Sequence, residues 1–188
     1  MKTNALILLI FFGTLSMAGA QSFKLDNNAS SLEVLGTSTL HDWEITAEEL
    51  NGSAQVSSEN NAHSINSLNF QVKVEGLKSG KSAMDNNTYE ALNSDDYATI
   101  DYVLKEVVSS SKNGNYYDLN TKGALTIAGC TKVITIPVKT EINGNKMVCT
   151  GQVTFKMTDF KVEPPTALLG TVKTGDEITI KFKTEFKN

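Results

Sequence analysis

The sequence predicts an all-β fold: one domain of eight antiparallel strands with one short helix near residues 82–92. Three observations carry this. From Asp176 to Phe186 the chain alternates, with Ile178, Ile180, Phe182, Thr184 and Phe186 on one parity and Glu177, Thr179, Lys181, Lys183 and Glu185 on the other. A period of two is a strand with one apolar face and one wet face. The rhythm returns at Leu68, Phe70, Val72 and Val74, and again from Tyr117 to Ile127. Finally, Asn113-Gly114 and Asn143-Gly144 stand between alternating runs. That is the short-range signature of a type I′ hairpin, whose two central residues are both left-handed. Strands of this kind pool their apolar faces in a closed barrel or a sandwich.

Residues 1–20 read as an export signal rather than as fold. Lys2 precedes the apolar run Ala5 to Phe12, and small residues lead to Ala18-Gly19-Ala20, an A-x-A cleavage site. The run is short for a membrane span, and Gln21 rather than a lipid-accepting Cys follows the site. A periplasmic or secreted, soluble protein is expected, a retained N-terminal anchor being the alternative. Residues 21–188 then form one domain, long enough to bury a core without staples. Strands are expected at residues 31–37, 42–56, 65–76, 99–108, 115–128, 132–142, 145–157 and 176–187, with a short extra segment at 23–25. The helix at 82–92 has Asp85 near its start and an apolar stripe of Met84, Tyr89 and Leu92, suited to closing one end of the core. Residues 159–174, with Pro164-Pro165 and Gly170, form a long loop that either binds something or caps the barrel.

Turn chemistry and parity can be checked against each other. With Asn113-Gly114 as the turn, Ile100 faces Ile127, Tyr102 faces Leu125, Leu104 faces Gly123 and Val108 faces Leu119. With Asn143-Gly144 as the turn, Ile134 faces Val153, Ile136 faces Gly151, Cys149 faces Val138 and Thr140 faces Met147. The partners share the inward parity throughout, so both signals point to one register. Two residues misfit. Glu106 falls on the inward set opposite Thr121, which marks a bulge or an acid inside. Pro137 lies within a strand on the outward parity, which marks an edge, a bulge or a pairing defect.

Composition excludes several function classes. Every basic residue is Lys, and with the signal removed 16 Lys face 21 acids. Nucleic-acid recognition and bidentate phosphate clamping lean on Arg and on basic patches, so neither is expected. The two His, His41 and His63, are far apart and not at metal-ligand spacing, and no nucleophile elbow, paired-Cys motif or phosphate loop occurs. The expectation is no enzyme, no metal and no cofactor. Cys149 shares the inward parity of Met147, Val153 and Phe155 and is expected as a buried thiol. Cys130 lies at a strand-connecting turn with its state open, and the oligomeric state is open too, a homodimer included.

The inward set is the best functional evidence. Val34, Trp43, Phe70, Val72, Tyr102, Leu104, Leu119, Leu125, Ile127, Ile134, Ile136, Phe155, Met157, Ile178, Ile180 and Phe182 are expected to line one interior, with His41 beside Trp43 at its mouth. Strands of this length reach roughly 35 Å, and an eight-stranded barrel is just wide enough to be filled or to hold one slim ligand. Parity alone leaves both open. His41 has two readings as well: a head-group contact, or a hydrogen-bonded structural His beside a packing Trp.

The chain resembles the YceI-like family, exported bacterial proteins with a lipocalin-like barrel associated with polyisoprenoid and other lipid binding. The resemblance rests on Ser38-Thr39-Leu40-His41-Asp42-Trp43, on Met84-Asp85 with Tyr89-Glu90-Ala91-Leu92, and on Leu125-Thr126-Ile127-Ala128-Gly129. It continues through Thr131-Lys132, Met157-Thr158-Asp159-Phe160, Pro164-Pro165-Thr166-Ala167-Leu168-Leu169-Gly170 and Thr174-Gly175-Asp176-Glu177, in family order. It departs at Ala98, where members often carry Pro, and at Cys130, where an aliphatic residue is usual. The resemblance implies an eight-stranded antiparallel lipocalin-like barrel holding a lipid or isoprenoid chain; His41, Tyr102 and the 159–174 loop are the candidates for head-group contact. The alternative is a non-catalytic stress or interaction module with a filled barrel. For a chain of about forty carbons, burial at ~0.8 kcal/mol per methylene gives a gross term of order 30 kcal/mol, above the affinity ceiling.

Overall fold

The computed structural model describes residues 20–59, 62–167 and 170–188; the expected export signal lies outside them. The strands are β1 (Gln21–Leu25), β2 (Ser31–Ser38), β3 (Trp43–Ala47), β4 (Leu50–Glu59), β5 (Ala62–Lys73), β6 (Leu77–Lys78), β7 (Thr99–Asn113), β8 (Tyr116–Ile127), β9 (Cys130–Asn143), β10 (Lys146–Lys156), β11 (Thr166–Ala167) and β12 (Val172–Lys187). The helix α1 runs over Ser82–Ala91, close to its expected span.

Eight strands form an antiparallel ring in the order β1-β4-β5-β7-β8-β9-β10-β12, closed where Lys24 and Leu25 pair with Lys187 and Phe186. Lys187 pairs with Asp26 across this seam, and beside it the buried Glu185 of β12 receives Lys146 of β10 at 2.6 Å. β2 continues β1 after a turn at Asn27–Ala29 and lies between β12 and β3. The expected strand at 42–56 is broken at Glu48-Glu49, so β3 turns from the ring to pair with β6. α1 packs beside β6 through Met84, Tyr89 and Leu92. The Tyr89 hydroxyl donates to the carbonyl oxygen of Glu75 or of Leu77, at 2.9 and 3.0 Å, and Lys78 donates to that hydroxyl at 2.6 Å.

Both hairpins differ from expectation in a consistent way. Asn113 pairs with Tyr116 and Asn143 with Lys146, so the turns are Gly114-Asn115 and Gly144-Asn145. Each Gly has positive φ and neither following Asn does, the pattern of a type II′ rather than a type I′ turn. The pairing is therefore offset by two residues from the expected one. In the second hairpin Cys149 faces Thr140 instead of Val138, Gly151 faces Val138 instead of Ile136, and Met147 faces Ile142 instead of Thr140. In the first, bulges between Leu104 and Glu106 and between Val107 and Ser109 absorb the offset. Beyond them Tyr102–Leu125 and Leu104–Gly123 pair as expected, whereas Ser110 rather than Val108 faces Leu119. Glu106 is rotated outward by the first bulge and meets Lys122 at 3.3 Å. A turn of the I′ pattern lies instead at Ala128-Gly129, where both residues are left-handed. Pro137 lacks the donor a second neighbour needs: it pairs with Asn120 of β8, and the β9–β10 ladder stops at Val138, short of the expected Ile134–Val153 pair.

The two ends of the barrel are built differently. At the hairpin end Phe23, Val56, Met147 and Phe186 are at most 1% exposed and form a solid floor. At the other end α1, residues 39–42 and the segment after β10 surround an opening. The expected long loop there folds into a turn at Met157–Phe160, which buries Phe160 and Val162 against Ile127, and then the short β11–β12 ladder.

Candidate functional site

Above the floor the barrel encloses a cavity of about 520 Å³. Every residue expected to face the interior, from Val34 and His41 to Ile180 and Phe182, lines it. Period-two alternation explains that agreement, because a two-residue slip in a hairpin leaves every side chain on its own face. Phe70, Tyr102, Leu104, Leu125, Ile134, Ile180 and Phe182 point inward and yet are only half-buried. In a packed core such positions are sealed, so the middle of this barrel is hollow.

Aromatic rings lying flat on glycines keep it hollow. Trp43 covers Gly36 on the paired strand, Tyr102 covers Gly123, and Phe182 covers Gly151. A Cβ at Gly36 or Gly123 would overlap the ring outright. Two rings are pinned at their polar ends as well. The Trp43 indole N–H donates to the Thr37 carbonyl at 2.8 Å, and the Tyr102 hydroxyl lies 3.3 Å from Thr121 Oγ1. Burial pushes the Tyr102 phenol up from its ordinary value, and the Thr121 contact partly offsets this.

The lumen makes no polar demand on an occupant. Thr121 donates to the Ile136 carbonyl at 2.9 Å, Thr184 to the Cys149 carbonyl at 3.5 Å, and Thr140 lies 3.5 Å from the Cys149 sulfur. No buried side-chain nitrogen or oxygen among the described residues lacks a partner. Burial without a nearby cation raises the Cys149 thiol to about 11, so it stays protonated and inert. The mouth differs in character: Ser38, His41, Lys81, Asn87, Thr166 and Thr174 surround it, with Leu40 68% exposed among them.

His41 lies outside the strand, since β3 begins at Trp43. It is exposed at the rim, where its ring Nδ1 donates to the Asp42 carbonyl at 2.7 Å. Tyr102 sits well inside, its hydroxyl directed at Thr121, so the two do not form one polar cluster. His63, on β5, is part-buried against Tyr117. Sequence reasoning left Leu32, Ile45, Leu68 and Val153 out of the lining set, although they share the inward faces that parity marks. It also missed Met84 on α1, Phe160, Val162 and Lys81, which no strand periodicity marks. No cluster of metal-ligating side chains occurs among the described residues.

Comparison with known proteins adds the following. The model of the YceI-like domain matches residues 23–186. Among solved structures, BcnA of Burkholderia cenocepacia is 21% identical, with a TM-score of 0.67 over 86% of this chain and 98% of that one. A polyisoprenoid binding domain from Saccharophagus degradans, implicated in plant cell wall breakdown, is 12% identical, with a TM-score of 0.67 over 88% and 97%. The YCEI protein of Campylobacter jejuni is 17% identical, with a TM-score of 0.53 over 100% and 99%. No curated protein matches the sequence.

Proposed function

The chain belongs to the YceI-like domain family, and from that premise we propose that it is an exported, non-catalytic protein that carries a long apolar lipid, an isoprenoid chain above all, in its barrel lumen. The observation that carries this is the lumen itself: about 520 Å³, walled by aliphatic and aromatic side chains, its hydroxyls already bonded, and open at a polar mouth. A polyisoprenoid binding domain with the same fold supports the ligand class.

Two measures of capacity agree. From Thr174 to Thr184 the lining of β12 spans roughly 33 Å of strand, or about 25 Å along the axis at the tilt of a small barrel. A backbone advances roughly 3.3 Å per three bonds, so an extended hydrocarbon of about 20 bonds fits that depth. At ~30 Å³ per heavy atom of a liquid, 520 Å³ holds a similar number. The lumen thus takes about half of a forty-carbon chain. Burying about 20 carbons is worth a gross ~16 kcal/mol, from which chain ordering and association subtract. The head group stays at the mouth, beside His41 and Lys81, and Tyr102 contacts the chain.

The rival reading, a barrel acting only through its outer surface, calls for a filled interior, and the half-buried inward residues argue against that. The experiment is solvent extraction and mass spectrometry of the purified protein, followed by titration with isoprenoids while reading the fluorescence of Trp43, the chain's one Trp. Copurified apolar lipid and saturable quenching are expected. Absence of both refutes the proposal.

A further inference from the structure

A chain of forty carbons exceeds the lumen, and the floor of Phe23, Val56, Met147 and Phe186 gives it no way straight down. The wall, however, is not continuous. β5 and β7 are hydrogen-bonded only where Asn69–Lys73 meet Thr99–Val103. Below that point the two strands share no ladder among the described residues, and β7 carries both of its bulges there. A bulge bends its strand and increases its twist, which turns β7 away from β5.

A second cavity of about 80 Å³ occupies this fork. His63 and Ile65 of β5 form one lip, Val107 and Ser110 of β7 the other. Ile65, Leu119 and Thr140 line both this cavity and the lumen, so a few side chains, two of them aliphatic, form the partition. The rim is polar and ordered: His63 Nδ1 lies 2.7 Å from Ser58 Oγ, and the His63 backbone N–H donates to the Tyr117 hydroxyl at 3.4 Å.

From this geometry we infer that the fork between β5 and β7 is a lateral portal, through which the tail of an apolar chain longer than the lumen leaves the barrel. The inference rests on the lumen being the lipid site. With the head group at the polar mouth, the tail reaches the bottom of the lumen, where the fork lies. Chains that end inside the lumen do not use the portal. Ile65, Val107 and Leu119 therefore set tolerance for long chains, separately from affinity for short ones.

The test blocks the portal after folding. Ser110 is exposed on the β7 lip. Ser110→Cys is made in a Cys130→Ser background, because Cys130 is free and partly exposed whereas Cys149 is buried. A bulky maleimide is then attached to the introduced thiol. Ser64→Cys, on the opposite lip, is the second variant. The probes are geranylgeraniol, about twenty carbons, and an octaprenol, about forty, chosen to fall within and beyond the lumen; both are read by Trp43 quenching.

Labelling at either lip is expected to weaken octaprenol binding by at least about tenfold, which is ~1.4 kcal/mol or more, and to leave geranylgeraniol within about twofold. Equal effects on the two probes, or none on octaprenol, overturn the portal and leave the lumen site standing. Failure of the unlabelled protein to bind either probe overturns the lumen site, and the portal with it.

Discussion

Ile180 sits at mid-height of the longest strand, paired with Val153 on one side and Val34 on the other, and its side chain faces the lumen. Replacing it with Trp separates a hollow barrel from a filled one. Trp adds about six heavy atoms, which at ~30 Å³ each take up roughly a third of the 520 Å³ lumen. Displacing about six ligand carbons forfeits a gross ~5 kcal/mol. A loss of at least about 100-fold in isoprenoid affinity is expected, because the chain recovers part of that by rising in the mouth. In a filled core the same insertion costs ~1–3 kcal/mol. For a domain of this size each kcal/mol lowers Tm by roughly 2–4 °C. In a hollow barrel the new ring finds space, so Tm is expected to stay within about 2 °C of the parent. Calorimetry and Trp43 titration, with the new Trp handled by a Trp43→Phe control and by competition against a fluorescent lipid, give both readouts. A Tm drop beyond about 5 °C with affinity intact would show the interior to be packed and the reasoning wrong.

Three further outcomes are expected. Gly123→Ala drives its new methyl group into the Tyr102 ring, so thermal denaturation should show a loss of about 1–3 kcal/mol, and near-ultraviolet circular dichroism a displaced tyrosine. Alkylation of the native protein at pH 8 should modify Cys130 and spare Cys149, whose buried thiol is raised to about 11; mass spectrometry should find the second adduct only after denaturation. Asp85 accepts hydrogen bonds from the Ser79 hydroxyl and, at 2.8 Å, from its backbone N–H, and these hold its carboxyl below the usual range. A depressed carboxyl stabilises the fold above its ordinary value, and that contribution disappears as pH falls through the lowered one. Asp85→Asn should therefore lower stability by about 1 kcal/mol at neutral pH, the scale of a weakened intramolecular hydrogen bond. The difference from the parent should vanish in acid, as followed by melting at several pH values.

Much of this was legible in the chain, and the two hairpins show why. Each turn reads Asn-Gly-Asn, at 113–115 and 143–145, so it contains both an Asn-Gly and a Gly-Asn frame. Local chemistry favours the first, and the fold uses the second. The inward set survives because the resulting offset is two residues, the strand period itself. Glu106 and Pro137 announced the bulge and the broken ladder by violating the pattern, although neither revealed which neighbour would be lost. His41, expected beside Trp43 at the mouth, lies at the rim there just outside β3, and parity could not say whether it belongs to the strand.

Alternation along each strand determined by itself that this is an all-β protein and which side chains face inward, since each strand needs only its own residues to sort its two faces. Tertiary structure alone decided that the interior is hollow, floored at one end and forked between β5 and β7. Those properties depend on how rings lie across glycines of neighbouring strands, as Phe182 does on Gly151, and on where two bulges turn β7 away from its partner. Such contacts join residues distant along the chain, and no local period encodes them.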